Sequence, residues 1–107
     1  MTPGLREYKQ ATLRVAVPLG IPEHMRHGVR EIVAVQTTNP RKGHATHLMH
    51  DVCAEADRTG FVLMLQVRPF DDGMDDEQLE EWYAKFGFIE IQHEPVLMAR
   101  QPRNTIQ

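Results

Sequence analysis

The segment Phe61–Val67 is apolar at every position except Gln66, and no other feature restricts the fold as much. A run of that length and uniformity suits a strand covered on both faces, as parallel strands are. Ahead of it, Ala45, Leu48, Met49, Val52 and Ala56 recur at the i, i+3, i+4, i+7 spacing of one helical face. The spacing predicts a helix over Ala45–Arg58, closed by Gly60. Before that helix, Val29–Thr37 is rich in β-branched residues and reads as a strand. Its period-2 parity places Glu31, Val33, Val35 and Thr37 on one face and Arg30, Ile32, Ala34 and Gln36 on the other. Strand, helix and strand with short joints form a βαβ unit, expected as a right-handed crossover between parallel strands.

The flanking segments complete the domain. Thr12–Val17 alternates Leu13, Val15 and Val17 with Thr12, Arg14 and Ala16, the pattern of a half-buried strand, and Pro18, Gly20 and Pro22 stop it. Asp75 is placed to cap a second helix, with Gln78 completing a capping box. Leu79, Trp82, Tyr83 and Phe86 give that helix an apolar face, and Gly87 supplies a left-handed residue at its end. Phe88–Gln92 and Val96–Arg100 read as a final strand pair around His93, Glu94 and Pro95, and the polar tail from Gln101 is expected to fray. The expected fold is α/β: a mixed, mostly antiparallel sheet of five or six strands, two principal helices, and one parallel pair at the centre. A core over residues 11–100 accounts for all of these elements, so one domain is expected for 107 residues.

Composition excludes several classes. The single cysteine, Cys53, rules out an internal disulfide framework and a cysteine-based zinc site. A net charge of −3 argues against a nucleic-acid binder that relies on charge. The longest apolar stretch is far short of a membrane span, and Met1–Glu7 has no apolar region behind its charges. A cytoplasmic location and no membrane partner are therefore expected.

Between the strand Val29–Thr37 and the first helix lies the basic loop Asn39-Pro40-Arg41-Lys42-Gly43-His44. A loop of this kind aims the orphan N–H groups of a helix N-terminus, and the positive end of its dipole, at whatever lies beyond the strand; such a place binds phosphate. Gly43 has no Cβ, so a diphosphate can approach the backbone closely. Taken alone, the loop is more often a plain strand-to-helix turn with Arg41 and Lys42 solvated, because short glycine motifs match by chance. His44, His47 and His50 fall on the outer face of the helix, and His47/Asp51 has the i, i+4 spacing of a ligand pair. No third ligand is fixed, so solvated histidines and no metal are expected. Cys53 borders the apolar face as a small hydrophobe, and Trp82 reads as a core anchor.

Taken together, the loop and the second helix resemble the GNAT superfamily of acyl-CoA-dependent N-acetyltransferases. Val33-Ala34-Val35 matches the family's hydrophobic-x-Val strand end. Gly43 stands eight residues after Val35, where the loop (Arg/Gln)-x-x-Gly-x-(Gly/Ala) has its glycine, and Ala45 fills the last small position. Trp82-Tyr83-Ala84-Lys85-Phe86-Gly87-Phe88 matches aromatic-Tyr-x-x-x-Gly-Phe without a gap, and Leu97-Met98-Ala99-Arg100 is similar to the last strand. The resemblance spans Val29–Arg100. Short forms of this kind look similar to phage and prophage acetyltransferases. Two positions depart from the pattern: Pro40 stands where the loop has Arg or Gln, with Arg41 displaced by one, and Asp76 stands where an Asn often precedes the tyrosine by seven.

The resemblance implies acetyl-CoA as cosubstrate. Its diphosphate would rest on the backbone of Arg41, Lys42, Gly43, His44, Ala45 and Thr46, with Asp76 nearby, and its pantetheine would lie beside Val35, Gln36 and Thr37 where the parallel strands splay. It implies that the Val35 backbone holds the acetyl carbonyl oxygen as it becomes negative. Tyr83 would protonate the departing thiolate, its hydroxyl facing the sulfur and not the core. Phenols titrate near ~10 and thiols near ~8.5, so the two are matched. Glu31, sharing the face of Val35 by parity, is the candidate general base. A primary amine on a small molecule or a protein is the implied acceptor; the acidic stretch Asp71–Glu77 suits a cationic one. Only Met1–Gln10 precedes the first predicted strand, so the acceptor side is open or completed by a second subunit, and a homodimer is expected. Competing readings are a GNAT-like domain that binds acyl-CoA without turnover and a protein-interaction module on the same scaffold.

Overall fold

The computed structural model describes residues 1–38, 42–68 and 74–103. In chain order the elements are β1 (Gly4–Tyr8), β2 (Ala11–Ala16), β3 (Val29–Thr37), α1 (His44–Thr59), β4 (Val62–Gln66), α2 (Asp76–Ala84), β5 (Ile89–Gln92) and β6 (Leu97–Arg100), with one 3-10 turn at Glu23–Met25. The six strands form one sheet in the order β1-β2-β3-β4-β6-β5. Only β3 and β4 are parallel; every other neighbour is antiparallel. The parallel pair lies at the centre, as the βαβ pattern requires.

Residues paired across strands point to the same side of a sheet. Val15, Ile32, Leu65 and Met98 oppose one another in a row across one face. Ala16, Glu31, Met64, Ala99 and Ile89 make the matching row on the other. Every strand residue of the core cluster — Ala11, Leu13, Val15, Ile32, Val35, Leu63, Leu65 and Met98 — belongs to the first face. Helix α1 covers that face with Leu48, Met49, Val52, Cys53 and Ala56, the stripe expected from sequence with Cys53 added and Ala45 half-buried at its edge. Helix α2 adds Leu79 and Tyr83, and the turn after it Phe86 and Phe88, to the same cluster. Both helices thus lie on one side.

Asp75 caps α2 as expected: its side chain accepts from Gln78 N at 2.8 Å while Gln78 Oε1 accepts from Asp75 N at 3.0 Å. The helix ends at Lys85, with Gly87 at φ 98° two residues later. The end of β6 is held by Arg100. It donates from Nε to the Phe86 carbonyl at 2.6 Å and from Nη1 and Nη2 to both oxygens of Asp57 on α1, at 2.8 and 3.0 Å. Arg103 N donates to the same carboxylate at 2.7 Å, so the chain is pinned through residue 103 instead of fraying from Gln101. Four hydrogen bonds on one ion pair tie both helices, β6 and the tail together.

Strand β1 was not expected from the sequence. Its outward residue Leu5 is half exposed, and Arg6 and Tyr8 point inward. Arg6 forms an ion pair with Glu55 at 2.6 Å, and Tyr8 stacks on His47 with 3.7 Å between ring centroids. Amphipathic side chains bury their stems and hold their polar tips to partners. A strand whose inward residues are polar carries no apolar alternation.

Candidate functional site

The central feature is an irregularity in β3. Thr12 opposes Gln36, but Arg14 opposes Val33, so β3 carries one extra residue. Ala34 takes it up with a left-handed φ of 55°, a conformation that costs a non-glycine residue about 1–2 kcal/mol. The bulge reverses the parity of the strand. Val35 therefore joins Ile32 on the helix-covered face, and Glu31 stays with Val33 on the other. Strict alternation, which put Glu31 and Val35 on one face, is corrected here: it holds only within an unbroken ladder.

The ladder between β3 and β4 stops at Ile32–Leu65, next to the bulge. Beyond it β3 runs on beside β2 to the Thr37–Ala11 pair, while β4 stays with β6 through Gln66–Leu97. The two parallel strands part. Val35, Gln36 and Thr37 lie on the β3 side of this opening.

Helix α1 begins just past the end of β3, one residue earlier than expected. Gly43 is its N-cap at φ 74°, with no side-chain cap bond and no acidic residue in the first turn. The first helical bond joins His47 N to the Gly43 carbonyl at 3.0 Å, so the N–H groups of His44, Ala45 and Thr46 have no acceptor within the helix. A Cβ placed on Gly43 would meet nothing within 4 Å, and Lys42 beside it is exposed. His44 Nδ1 is buried without a hydrogen-bond partner among the described residues, and its ring meets Tyr8 edge-on. These residues fit a bound diphosphate: orphan donors, a cation and open space together. Pro40 and Arg41, also expected at this loop, lie outside the described residues.

Tyr83 sits in the last turn of α2, 3% exposed and in the core cluster. Trp82 and Phe88 meet its ring edge-on, at centroid distances of 5.0 and 6.0 Å. Glu31, on the opposite face, is separated from Tyr83 by the sheet. Asp76, at the N-terminus of α2, borders an open groove of about 990 Å³. Gln66, Arg68, Glu77, Glu80 and Glu94 also line it, beside the end of β4. Sequence reading missed this groove, because its walls come from three distant segments, of which the one at the end of β4 carries Arg68 and the other two carry carboxylates. Cys53 is buried, and desolvation pushes its thiol up to about 11, which fits the small hydrophobe expected and not a nucleophile. The exposed His47–Asp51 pair spans 3.2 Å, and no described helix is long and apolar enough to cross a membrane.

No protein-family model and no curated protein matches the sequence. Solved structures do. The crystal structure of the anti-CRISPR protein AcrVA5 superposes with a TM-score of 0.71 at 23% identity, over 92% of this chain and 98% of that one. An acyl-CoA N-acyltransferase from Pseudomonas aeruginosa gives 0.55 at 17% identity, and a putative acetyltransferase from Exiguobacterium sp. 255-15 gives 0.57 at 18%. This chain covers 85% and 86% of its own length in these two matches, but only 59% and 54% of theirs. At such identities the likeness is one of fold. The bulged parallel pair, the crossover helix between its strands and the closing hairpin give this chain the GNAT N-acyltransferase fold.

Proposed function

We propose that the protein is an acetyl-CoA-dependent N-acetyltransferase acting on a primary amine. The observation that carries the reading is the parting of β3 and β4 beside the Ala34 bulge. The uncapped N-terminus of α1 lies just beyond it. A slot between parallel strands that leads to free helix N–H groups suits a long thiol ester ending in a diphosphate.

Acetyl-CoA supplies the activated acetyl group. The backbone of residues 42–46 binds the diphosphate, with Arg41 adding charge, and β3 at Val35, Gln36 and Thr37 orients the chain of the thiol ester. The Val35 N–H faces the carbonyl oxygen and stabilises the negative charge that grows there. The amine approaches from the open face, where Glu31 takes its proton through water. As the new C–N bond forms and the C–S bond breaks, Tyr83 gives its proton to the sulfur. The sheet between Glu31 and Tyr83 keeps base and acid apart, and the opening between the strands connects them. A ring fixed on two sides by Trp82 and Phe88 is held in one orientation, as a positioned proton donor must be.

Calorimetric titration with acetyl-CoA and with CoA, then thiol release across a panel of amines, tests this reading. Binding of both with thiol release on at least one amine is expected. Binding without release on any amine identifies a non-catalytic acyl-CoA binder; absence of binding leaves the scaffold as an interaction module.

A further inference from the structure

The sheet ends at β5, which pairs with β6 alone. All four residues of β5 are exposed, Ile89 at 65% and Ile91 at 52%. A strand with one neighbour holds a row of backbone N–H and C=O groups open to another chain, and proteins commonly guard such an edge with lysine or proline. Neither guard is present in β5, which reads Ile89, Glu90, Ile91 and Gln92. Its irregularity between Glu90 and Gln92 limits regular pairing to a few residues, so the edge alone makes a weak site.

A second contact adjoins it. His93, the residue after β5, lines the groove at the end of β4. Asp76, Glu77, Glu80 and Glu94 set carboxylates around this groove against the guanidinium of Arg68, which donates to Gln66 Oε1 at 3.0 Å. None of these carboxylates is in an ion pair among the described residues. Asp76 and Glu77 stand in the first turn of α2, where a helix favours anions; Glu80 and Glu94 have no such local reason for their charge. At about 990 Å³ the groove matches the largest sites that hold drug-sized ligands, so it has room for a stretch of chain and not only for one amine. Gln66 opposes Leu97, one residue on from the Leu65–Met98 pair, and so lies on the face of Glu31, while α2 lies on the other. The groove is thus lined from both faces and reaches the open one, from which the amine approaches.

We propose that β5 and this groove together dock an extended, basic segment of a partner polypeptide, which adds to β5 as a further strand and lays its cationic side chains among the groove carboxylates. Main-chain pairing supplies the orientation and the groove supplies the choice of charge. An acidic segment would meet like charge at the groove, and an apolar one would leave its carboxylates unanswered. Resting on the transferase reading, the proposal also names the acceptor as a lysine of such a segment. The added strand lies three spacings of ~4.8 Å, about 14 Å, from β4. A lysine side chain spans roughly 6 Å, so the reacting lysine stands two or three residues, at ~3.3 Å each, past the paired stretch. The docking itself rests on β5 and the groove alone.

Fluorescence anisotropy of short labelled peptides with the full chain, in the absence of acetyl-CoA, tests the docking. A peptide alternating valine and lysine should bind saturably. The same peptide with prolines in place of its central valines should bind at least about tenfold more weakly, since proline cannot donate to the ladder, and one alternating valine and glutamate should not bind. Ile89→Lys with Ile91→Lys guards the edge, and Glu80→Gln with Glu94→Gln discharges the groove. Each pair should weaken binding about tenfold, the scale of a few partly exposed charge contacts. Thermal melting checks that the variants fold, and the proline peptide keeps the test independent of them. No saturation by about 1 mM overturns the proposal, as does a proline peptide that binds equally well or a folded variant pair that binds as the parent does. A free aliphatic diamine that displaces the labelled peptide as well as the unlabelled peptide does also overturns it, because charge alone would then suffice. Peptide binding without thiol release on any amine fails the transferase reading and leaves the docking; thiol release on small amines without peptide binding fails the docking alone.

Discussion

Arg100→Met tests what holds the second helix in place. Arg100 is 3% exposed, and its guanidinium makes three hydrogen bonds, two to Asp57 and one to the Phe86 carbonyl. Methionine keeps the length and apolar contact of the stem but leaves the Asp57 carboxylate and the carbonyl without this donor. Breaking a buried pair from one side costs about 3–5 kcal/mol. Arg103 N still serves one Asp57 oxygen, which argues for the lower end, about 3 kcal/mol. With an unfolding entropy of about 2.1 cal/mol/K per residue, that lowers Tm by roughly 13 °C. Arg100→Lys keeps the charge but not the fork and should lose about half as much. Pairing Arg100→Met with Asp57→Leu should recover most of the loss, because an apolar pair has no desolvation to offset. Differential scanning calorimetry of the four proteins measures the cycle. The pair also fixes a pH dependence: the bond from Arg100 holds the Asp57 carboxyl below the usual carboxylate range. A depressed folded pKa stabilises above the unfolded value near ~3.9 and is lost as pH falls through the folded one. Parent stability should therefore fall below about pH 4, and Asp57→Asn should flatten part of that slope. If Arg100→Met costs less than about 1 kcal/mol, within the range of an exposed pair, the latch does not carry the packing of α2.

Three further outcomes bear on the site. Gly43→Glu should abolish acetyl-CoA binding in calorimetry, because the open space ahead of Gly43 would receive a carboxylate; binding equal to the parent's removes this loop from the cofactor site. Tyr83→Phe keeps the ring packing and removes the hydroxyl, so melting should shift by only a few degrees while thiol release falls roughly 10²–10⁴-fold; unchanged turnover would leave water as the proton source. Glu31→Gln should lower thiol release about 100-fold or more with acetyl-CoA affinity unchanged, and equal turnover would dismiss Glu31 as the base.

What the sequence determined was local and periodic. The apolar run of β4, the helical stripe Leu48, Met49, Val52 and Ala56, and the Asp75–Gln78 box each encode an element within a few residues, and the crossover rule makes the β3–β4 pair parallel. The motif around Gly43 and Tyr83 followed from the same short-range pattern. Tertiary structure decided what depends on distant partners. Strand β1 exists because Glu55 and His47 receive the inward side chains of Arg6 and Tyr8, and no local alternation announces that. The bulge at Ala34 exists because β3 pairs with β2 on one side and parts from β4 on the other. An alanine at a left-handed φ has no sequence mark, yet it decided that Glu31 and Val35 face opposite ways. Arg100 reads as the last residue of a strand until the fold brings Asp57 and Phe86 to it. Periodicity reports which side of a regular element is apolar; the ends, irregularities and ion pairs that build the site are settled only when separate elements meet.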